Sequence, residues 1–307
     1  MIQAFRNFMT RRTISAKARN KVMNSFSNYK IFSDIRVNSE TLRQKEQRPH
    51  EVLYFHKVDD PSSHLTVQCI AKFQSSFDII LKPILVGEEN LDAIHEPSLY
   101  NIYCLRDVQR IAPFYGVNFN AHEYPEKKLI DKANSILSSV KEEDFAKIAN
   151  SVSAALWEDD ADALDELSSS FFSTKKQVRE KLIQGNEIRD AKGYYFGSAF
   201  YYEKELYWGV DRLPHLEERL SALGAKKSKE CQKICPLELR APDQLTSDTK
   251  INLYYYPSLN SPYTFVSTKR VRQIREDYSV NLITKPVLPM LMRMMTIPTF
   301  KAKYIIS

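Results

Sequence analysis

Two stretches of this chain, about 200 residues apart, are versions of one pattern. Glu51–Leu85 reads EVLYFHKVDDPSSHLTVQCIAKFQSSFDIILKPIL, and Ile251–Leu288 reads INLYYYPSLNSPYTFVSTKRVRQIREDYSVNLITKPVL. Each opens on an aromatic apolar run (Leu53-Tyr54-Phe55; Leu253-Tyr254-Tyr255). Each then reaches an acid or Ser followed by Pro (Asp60-Pro61; Ser261-Pro262), runs on for a helix's length, and closes on Lys-Pro-Ile/Val-Leu. The spacing between matched residues is 200 at Leu53/Leu253 and 203 at Lys82/Lys285. An internal repeat of this kind sets the architecture before any single residue is considered.

Each copy predicts strand, turn, helix and strand. The aromatic run suits a buried strand, and Pro fits the first helical turn, where its missing N–H breaks no bond. In the first copy Leu65–Phe73 has helical spacing, and Phe77–Leu81 reads as the second strand. So short a strand–helix–strand unit implies parallel pairing through a right-handed crossover. Helical spacing then recurs over Asp107–Tyr115, Lys127–Val140, Glu142–Leu156, Ala161–Phe172 and Thr174–Ile188. Tyr194–Tyr202 and Glu205–Trp208 predict a hairpin, and Leu213–Leu223 a last helix ending at Gly224. The order β-α-β, helical block, β-β-α is an α/β chain with a thioredoxin-like fold carrying a helical insertion, followed by a partial second repeat. The expected boundaries are a basic tail at 1–45, a first domain at 51–224 with its insertion at about 89–190, a linker at 225–250, and the half repeat at 251–307.

The net charge of +6 is concentrated at the start. Arg6, Arg11, Arg12, Lys17, Arg19, Lys21 and Lys30 precede the first acid, Asp34. An Arg-rich, acid-poor, amphipathic leader predicts mitochondrial import, to the matrix in preference to the peroxisome; a disordered basic tail or a nucleic-acid arm is the alternative. Without those charges the body is close to neutral, which gives no basic footprint for nucleic acid. No run of about 18 apolar residues predicts a membrane span. Cys69, Cys104, Cys231 and Cys235 form no CxxC, and the spacing of the last two lacks further ligands for a metal. They read as thiols without a set role, Cys231 and Cys235 lying in the linker. His56 and His64 flank the Asp59-Asp60 turn without a definable nucleophile. Trp157-Glu158-Asp159-Asp160 reads as a solvated helix boundary, and seven glycines offer no phosphate cradle.

Lys192-Gly193-Tyr194-Tyr195-Phe196-Gly197-Ser198-Ala199-Phe200 and Glu205-Leu206-Tyr207-Trp208-Gly209-Val210-Asp211-Arg212-Leu213 resemble the kappa-class glutathione transferases and 2-hydroxychromene-2-carboxylate isomerases, relatives of the DsbA oxidoreductases. That family's stretches run R-G-V-F-G-x-P-T-F and E-L-F-x-G-x-D-R-L. Tyr103–Asp107 through Tyr115-Gly116-Val117 resembles its Y-x-x-x-D-x-x-R-x-A-x-x-Y-G-I helix, and Ser261-Pro262-Tyr263 its S-P-Y. The resemblance implies glutathione as co-substrate, no metal, and an electrophilic small molecule as second substrate. It also implies a Ser at a helix start that holds the glutathione sulfur, where N–H groups and the helix dipole lower the thiol pKa. A cis-Pro loop opposite clamps the peptide, and the Asp of G-x-D-R-L takes part in binding it.

Carried over, the catalytic position is Ser261 in the second copy and Asp60, a substitution, in the first. Glutathione-binding positions are Pro262, Tyr263, Lys301, Gly197, Ser198, Val210 and Asp211. Asp60 repels a thiolate and suits a helix cap; Ser198 replaces the residue that makes a cis bond accessible; Asp211 equally suits a cap on the last helix. The second copy keeps S-P-Y, and Lys301-Ala302-Lys303-Tyr304 resembles the family's K-x-x-Y, but the sequence contains no second hairpin. That copy is expected to use a homodimer, a partner or an edge of the first copy, or to come from a longer reading frame. The expected function is a kappa-like glutathione transferase (conjugation, isomerisation or peroxide reduction) with a degenerate first site. The other class is a non-catalytic thioredoxin-fold scaffold. Disulfide exchange has no cysteine at either helix start.

Overall fold

A computed structural model describes residues 29–87, 94, 96–228, 233–236, 251–258, 261–278 and 280–288. These divide into two compact units, 29–236 and 251–288. The first unit has a four-stranded sheet in the order β2-β1-β3-β4, built from β1 (Glu51–His56), β2 (Ile80–Leu85), β3 (Ala199–Tyr202) and β4 (Glu205–Trp208). β1 is parallel to β2 and antiparallel to β3, with Tyr54 opposite both Pro83 and Phe200. Helix α1 (Tyr29–Lys45) precedes β1, α2 (Pro61–Ser76) joins β1 to β2, and α8 (Leu213–Ala222) follows β4. The insertion between β2 and β3 holds α3 (Pro97–Ile111), a 3-10 turn at Ala112–Tyr115, α4 (Lys127–Ser139), α5 (Glu142–Trp157), α6 (Ala161–Ser170) and α7 (Lys175–Ala191). This is the thioredoxin-like α/β fold with a helical insertion.

Strand alternation sorts the core into two faces. Val52 and Tyr54 of β1 and Phe200 of β3 enter the main cluster with Leu65, Ile70 and Phe73 of α2 and Leu213, Leu216 and Leu220 of α8. Phe55 and Ala199 face the other way, against Val86, Ile188 of α7 and Tyr194. Local signals start the helices: three acids, Glu142, Glu143 and Asp144, meet the dipole of α5. Thr174 and Gln177 form a reciprocal capping box on α7. Asp160, from the acidic run after Trp157, caps α6 through the Ala163 N–H at 2.9 Å.

Three expectations are corrected. The second strand is Ile80–Leu85, not Phe77–Leu81; Phe77 makes an isolated bridge to Lys226. Lys82 and Pro83 are therefore inside the strand. The Ile80 and Val86 N–H groups bond β1, at His50 O and His56 O, so the intervening odd positions, Pro83 among them, aim their nitrogens at the open edge. Proline is tolerated there because no ladder bond needs it. Residues 29–45 are a helix of the first unit, not a tail: Arg36 grips Glu205 with Nε at 2.9 Å and Nη2 at 2.6 Å. The segment after α8 is not a linker from residue 225 on, since Ala225, Ile234 and Cys235 are core residues. Residues 1–28, Cys231 and 237–250 lie outside the described residues.

The second unit pairs β5 (Asn252–Tyr255) with β6 (Asn281–Thr284) in parallel, joined by α9 (Pro262–Tyr278). Its strand register and internal hydrogen bonds copy the first unit's at a uniform spacing of 201, the register pair Asn252↔Asn281 standing beside Glu51↔Ile80. Tyr255 Oη donates to Thr264 O at 3.4 Å as Tyr54 Oη does to Ser63 O at 3.5 Å. Ser258 N donates to Thr264 Oγ1 at 3.0 Å as Lys57 N does to Ser63 Oγ at 3.3 Å. The Lys-Pro-Ile/Val-Leu endings, matched in sequence at 203, are thus out of structural register: Pro286 follows β6, while Pro83 is within β2. Asp60 and Ser261 do correspond.

Candidate functional site

Asp60 occupies the N-cap of α2 with extended backbone (φ −99°, ψ 116°). Its Oδ1 accepts from the Ser62 N–H at 3.1 Å, and Oδ2 accepts from the Ser63 N–H at 3.0 Å and the Ser63 hydroxyl at 2.8 Å. Pro61 has no N–H, and the His64 N–H reaches Asp60 O at 3.1 Å. The donors that a helix start leaves over are therefore all engaged from within the turn.

The loop before β3 closes over this turn. A Cβ at Gly197 would lie 3.0 Å from Asp60 Oδ2, 3.0 Å from Ser63 Oγ and 2.8 Å from Lys57 Cβ, so only glycine fits. Ser198 is wholly buried, with a trans peptide and left-handed backbone at φ 56°. Its hydroxyl accepts from Ser62 Oγ at 3.1 Å and pairs with Thr66 Oγ1 at 2.7 Å, while its carbonyl takes the Gly209 N–H at 2.7 Å. A non-glycine residue in that backbone region carries a cost, which these three bonds offset. A proline cannot replace Ser198 there, because its ring holds φ near −65°.

The structure thus brings Asp60, Gly197 and Ser198 together. Asp211 joins them through Gly209 (φ 72°): a Cβ on that glycine would meet Asp211 Oδ1 at 3.1 Å and Ser62 Oγ at 3.3 Å. Burial raises the Asp211 pKa, with Arg212 opposing. Asp211 does not cap α8, whose N-cap is Arg212 without a side-chain cap bond. Val210 is a core side chain. In the second unit Ser261 precedes α9, and its carbonyl accepts the Phe265 N–H at 3.2 Å. Pro262 and Tyr263 belong to α9, but their side chains lie outside the described residues, as does Lys301. The sequence reading missed Ser62, Thr66 and Gly209. The two serines after Pro61 were a visible signal for a hydroxyl-lined first turn; their partner in the β3 loop was not.

Behind the turn, His56 is buried with Nδ1 at 3.0 Å from Tyr54 Oη, and its Nε2 has no partner among the described residues. Burial lowers its pKa to about 3. His64 Nδ1 meets Ser153 Oγ at 2.9 Å, and burial lowers its pKa to about 4. Both rings are neutral near pH 7. Among the described residues no group of three His, Cys, Asp or Glu is placed to hold a metal ion, and no helix is long and apolar enough to cross a membrane.

No protein-family model matches the chain, and no curated protein matches it. Among solved structures it is similar to one described as a 2-hydroxychromene-2-carboxylate isomerase, at 19% sequence identity and a TM-score of 0.43, over 57% of this chain and 96% of that one.

Proposed function

We propose that the chain is a glutathione-transferase-like protein whose first unit is a non-catalytic thioredoxin-fold scaffold, glutathione chemistry being left to the Ser261 helix start. The observation that carries the reading is the Asp60 cap. A carboxylate that already takes the Ser62 and Ser63 N–H groups leaves no donor for a thiolate and repels one. Gly197 and Ser198 fill the space opposite.

At the corresponding place Ser261 offers a neutral hydroxyl at the start of a 17-residue helix. Its O–H would donate to the glutathione sulfur, and the positive end of the helix would favour the thiolate. That thiolate would attack an electrophilic carbon or add reversibly to a conjugated double bond. Pro262, Tyr263 and Lys301 are assigned to glutathione by the resemblance alone, as is residence in the mitochondrial matrix.

Calorimetric titration of glutathione into the full chain tests the reading, with the ultraviolet absorbance of the bound thiolate as a second signal. Both signals are expected to survive Asp60→Ala and to be lost on Ser261→Ala. Loss on Asp60→Ala with retention on Ser261→Ala would falsify the assignment. Absence of binding in the parent chain favours the scaffold function for the whole protein.

A further inference from the structure

β5 offers β6 only one of its two edges. The Asn281 N–H goes to the Ile251 carbonyl at 2.9 Å, the Lys285 N–H to that of Tyr255 at 2.7 Å, and the Val287 N–H to that of Pro257 at 2.9 Å. Odd-numbered residues therefore serve β6. Asn252, Tyr254 and Tyr256 turn their N–H and C=O groups to the other side, where no strand lies among the described residues. At the spacing of 201 that relates the two units, Tyr254 and Tyr256 stand where Leu53 and Phe55 stand in the first. There Leu53 pairs with Tyr201, and Phe55 with Ala199, of the antiparallel β3. The repeat itself shows what this edge accepts, an antiparallel strand.

We infer that β5 of a second copy of this chain fills the edge, giving a twofold dimer with a continuous sheet in the order β6-β5-β5-β6. A twofold axis normal to the sheet lays two identical strands side by side in antiparallel order, the direction the first unit uses. The register that engages all three outward positions sets Tyr254 against Tyr254 of the partner subunit, and Asn252 against Tyr256 of the partner subunit. The edge carries none of the devices that keep strands apart. Residues 252–256 are uncharged, and no proline stands at an outward position. β6 differs, since the parity of its bonds puts Pro286, just past its end, on the outward side. Tyr255 Oη reaches Thr264 of α9, so Tyr254 and Tyr256 lie on the opposite face, 48% and 57% exposed. Pairing sets the two Tyr254 rings side by side, with the Tyr256 rings in diagonal reach. It also turns a two-stranded unit, too small to be stable alone, into a four-stranded sheet. The partner strand begins beside the Ser261 helix start, as β3 begins beside Asp60. The pairing rests on strand geometry and not on the assignment of glutathione to Ser261.

Sedimentation velocity of the full chain over a concentration series tests the inference. A species of twice the chain's 35.7 kDa is expected. Tyr254→Pro removes the central outward N–H and leaves the bonds of the odd-numbered residues to β6 in place. It should return the mass to that of one chain with the far-ultraviolet circular dichroism unchanged. Should proline disturb β5 itself, Tyr254→Cys decides the matter independently. Directly opposed residues of a hydrogen-bonded antiparallel pair have Cα atoms about 5.5 Å apart, within the span of a disulfide. Mild copper–phenanthroline oxidation should then give a covalent dimer in which, by non-reducing peptide mapping, both linked peptides contain position 254. Tyr278→Cys, exposed at the far end of α9, should give no such dimer. A monomeric parent chain, a dimer that persists in Tyr254→Pro, or a failure to link through position 254 overturns the proposal.

Discussion

Asp60 Oδ2 accepts twice from Ser63, from its N–H at 3.0 Å and from its hydroxyl at 2.8 Å, so one carboxylate oxygen holds both the backbone and the side chain of the first turn of α2. Asp60→Ala is therefore expected to cost about 1–2 kcal/mol of stability, the range for loss of a good N-cap. Asp60→Asn should cost less, because the amide oxygen still accepts. Urea denaturation of the two variants is the measurement. Equal midpoints for Ala and parent would mean the carboxylate is not needed as a cap and is free for another role.

Gly185 lies in the interior of α7, where glycine is a poor helix former. The reason is its approach to β2: a Cβ there would stand 1.8 Å from the Leu85 carbonyl oxygen and 2.9 Å from the carbon. Gly185→Ala must push α7 off the strand. A loss of at least about 1–3 kcal/mol is expected from overpacking, despite the better helix propensity of alanine. Thermal melts decide it, and an unchanged or higher Tm would contradict the packing of α7 on β2.

Glu205 is shared by two arginines. Arg36 meets Oε1 at 2.6 Å, and the buried Arg219 meets Oε2 at 2.8 Å. Glu205→Ala removes the counter-charge of a buried guanidinium, which typically costs about 3–5 kcal/mol. Arg219 keeps Tyr202 O and Tyr207 Oη as acceptors, so the low end is expected. Arg36 is one-third exposed, and Arg36→Ala should cost under about 1 kcal/mol, less at high salt. Equal losses in the two variants would contradict this ranking.

Stability should fall in acid through His56 and His64. Both have folded pKa values, about 3 and about 4, below the ordinary 6.5. Above pH 6.5 neither state binds the proton and the contribution of the neutral rings is fully present. As pH drops from there toward 4 the unfolded chain takes up protons that the folded one refuses, at up to about 1.4 kcal/mol per pH unit for each ring. Chemical denaturation at steps from pH 7 to 4.5 measures the slope. His64→Asn, which keeps a polar group for Ser153, should flatten it; a slope unchanged in that variant would remove His64 as a contributor.

Much of the element order was legible because its signals are local. Asp60-Pro61 marks the start of α2, and the Thr174/Gln177 pair begins α7 within one turn of chain. The hairpin follows from two aromatic runs around Glu203-Lys204. Boundaries failed where a distant partner decides them. Whether Lys82-Pro83 ends a strand or lies within one depends on which edge of β2 faces β1, and that is set by His50 and His56.

The amino-acid sequence by itself determined the repeat, the strand–helix–strand units and the identity of the residues at both helix starts, because side-chain periodicity and capping act over a few residues. Only the tertiary structure decided what the first of those starts can do. Ser62 and Ser198 are 136 residues apart and meet at 3.1 Å, which puts a hydroxyl lock over α2 that no spacing rule contains. The same holds for Arg36 on Glu205 and for Gly185 against Leu85. Each depends on chain segments brought together by burial of a common core, and burial is a property of the whole fold.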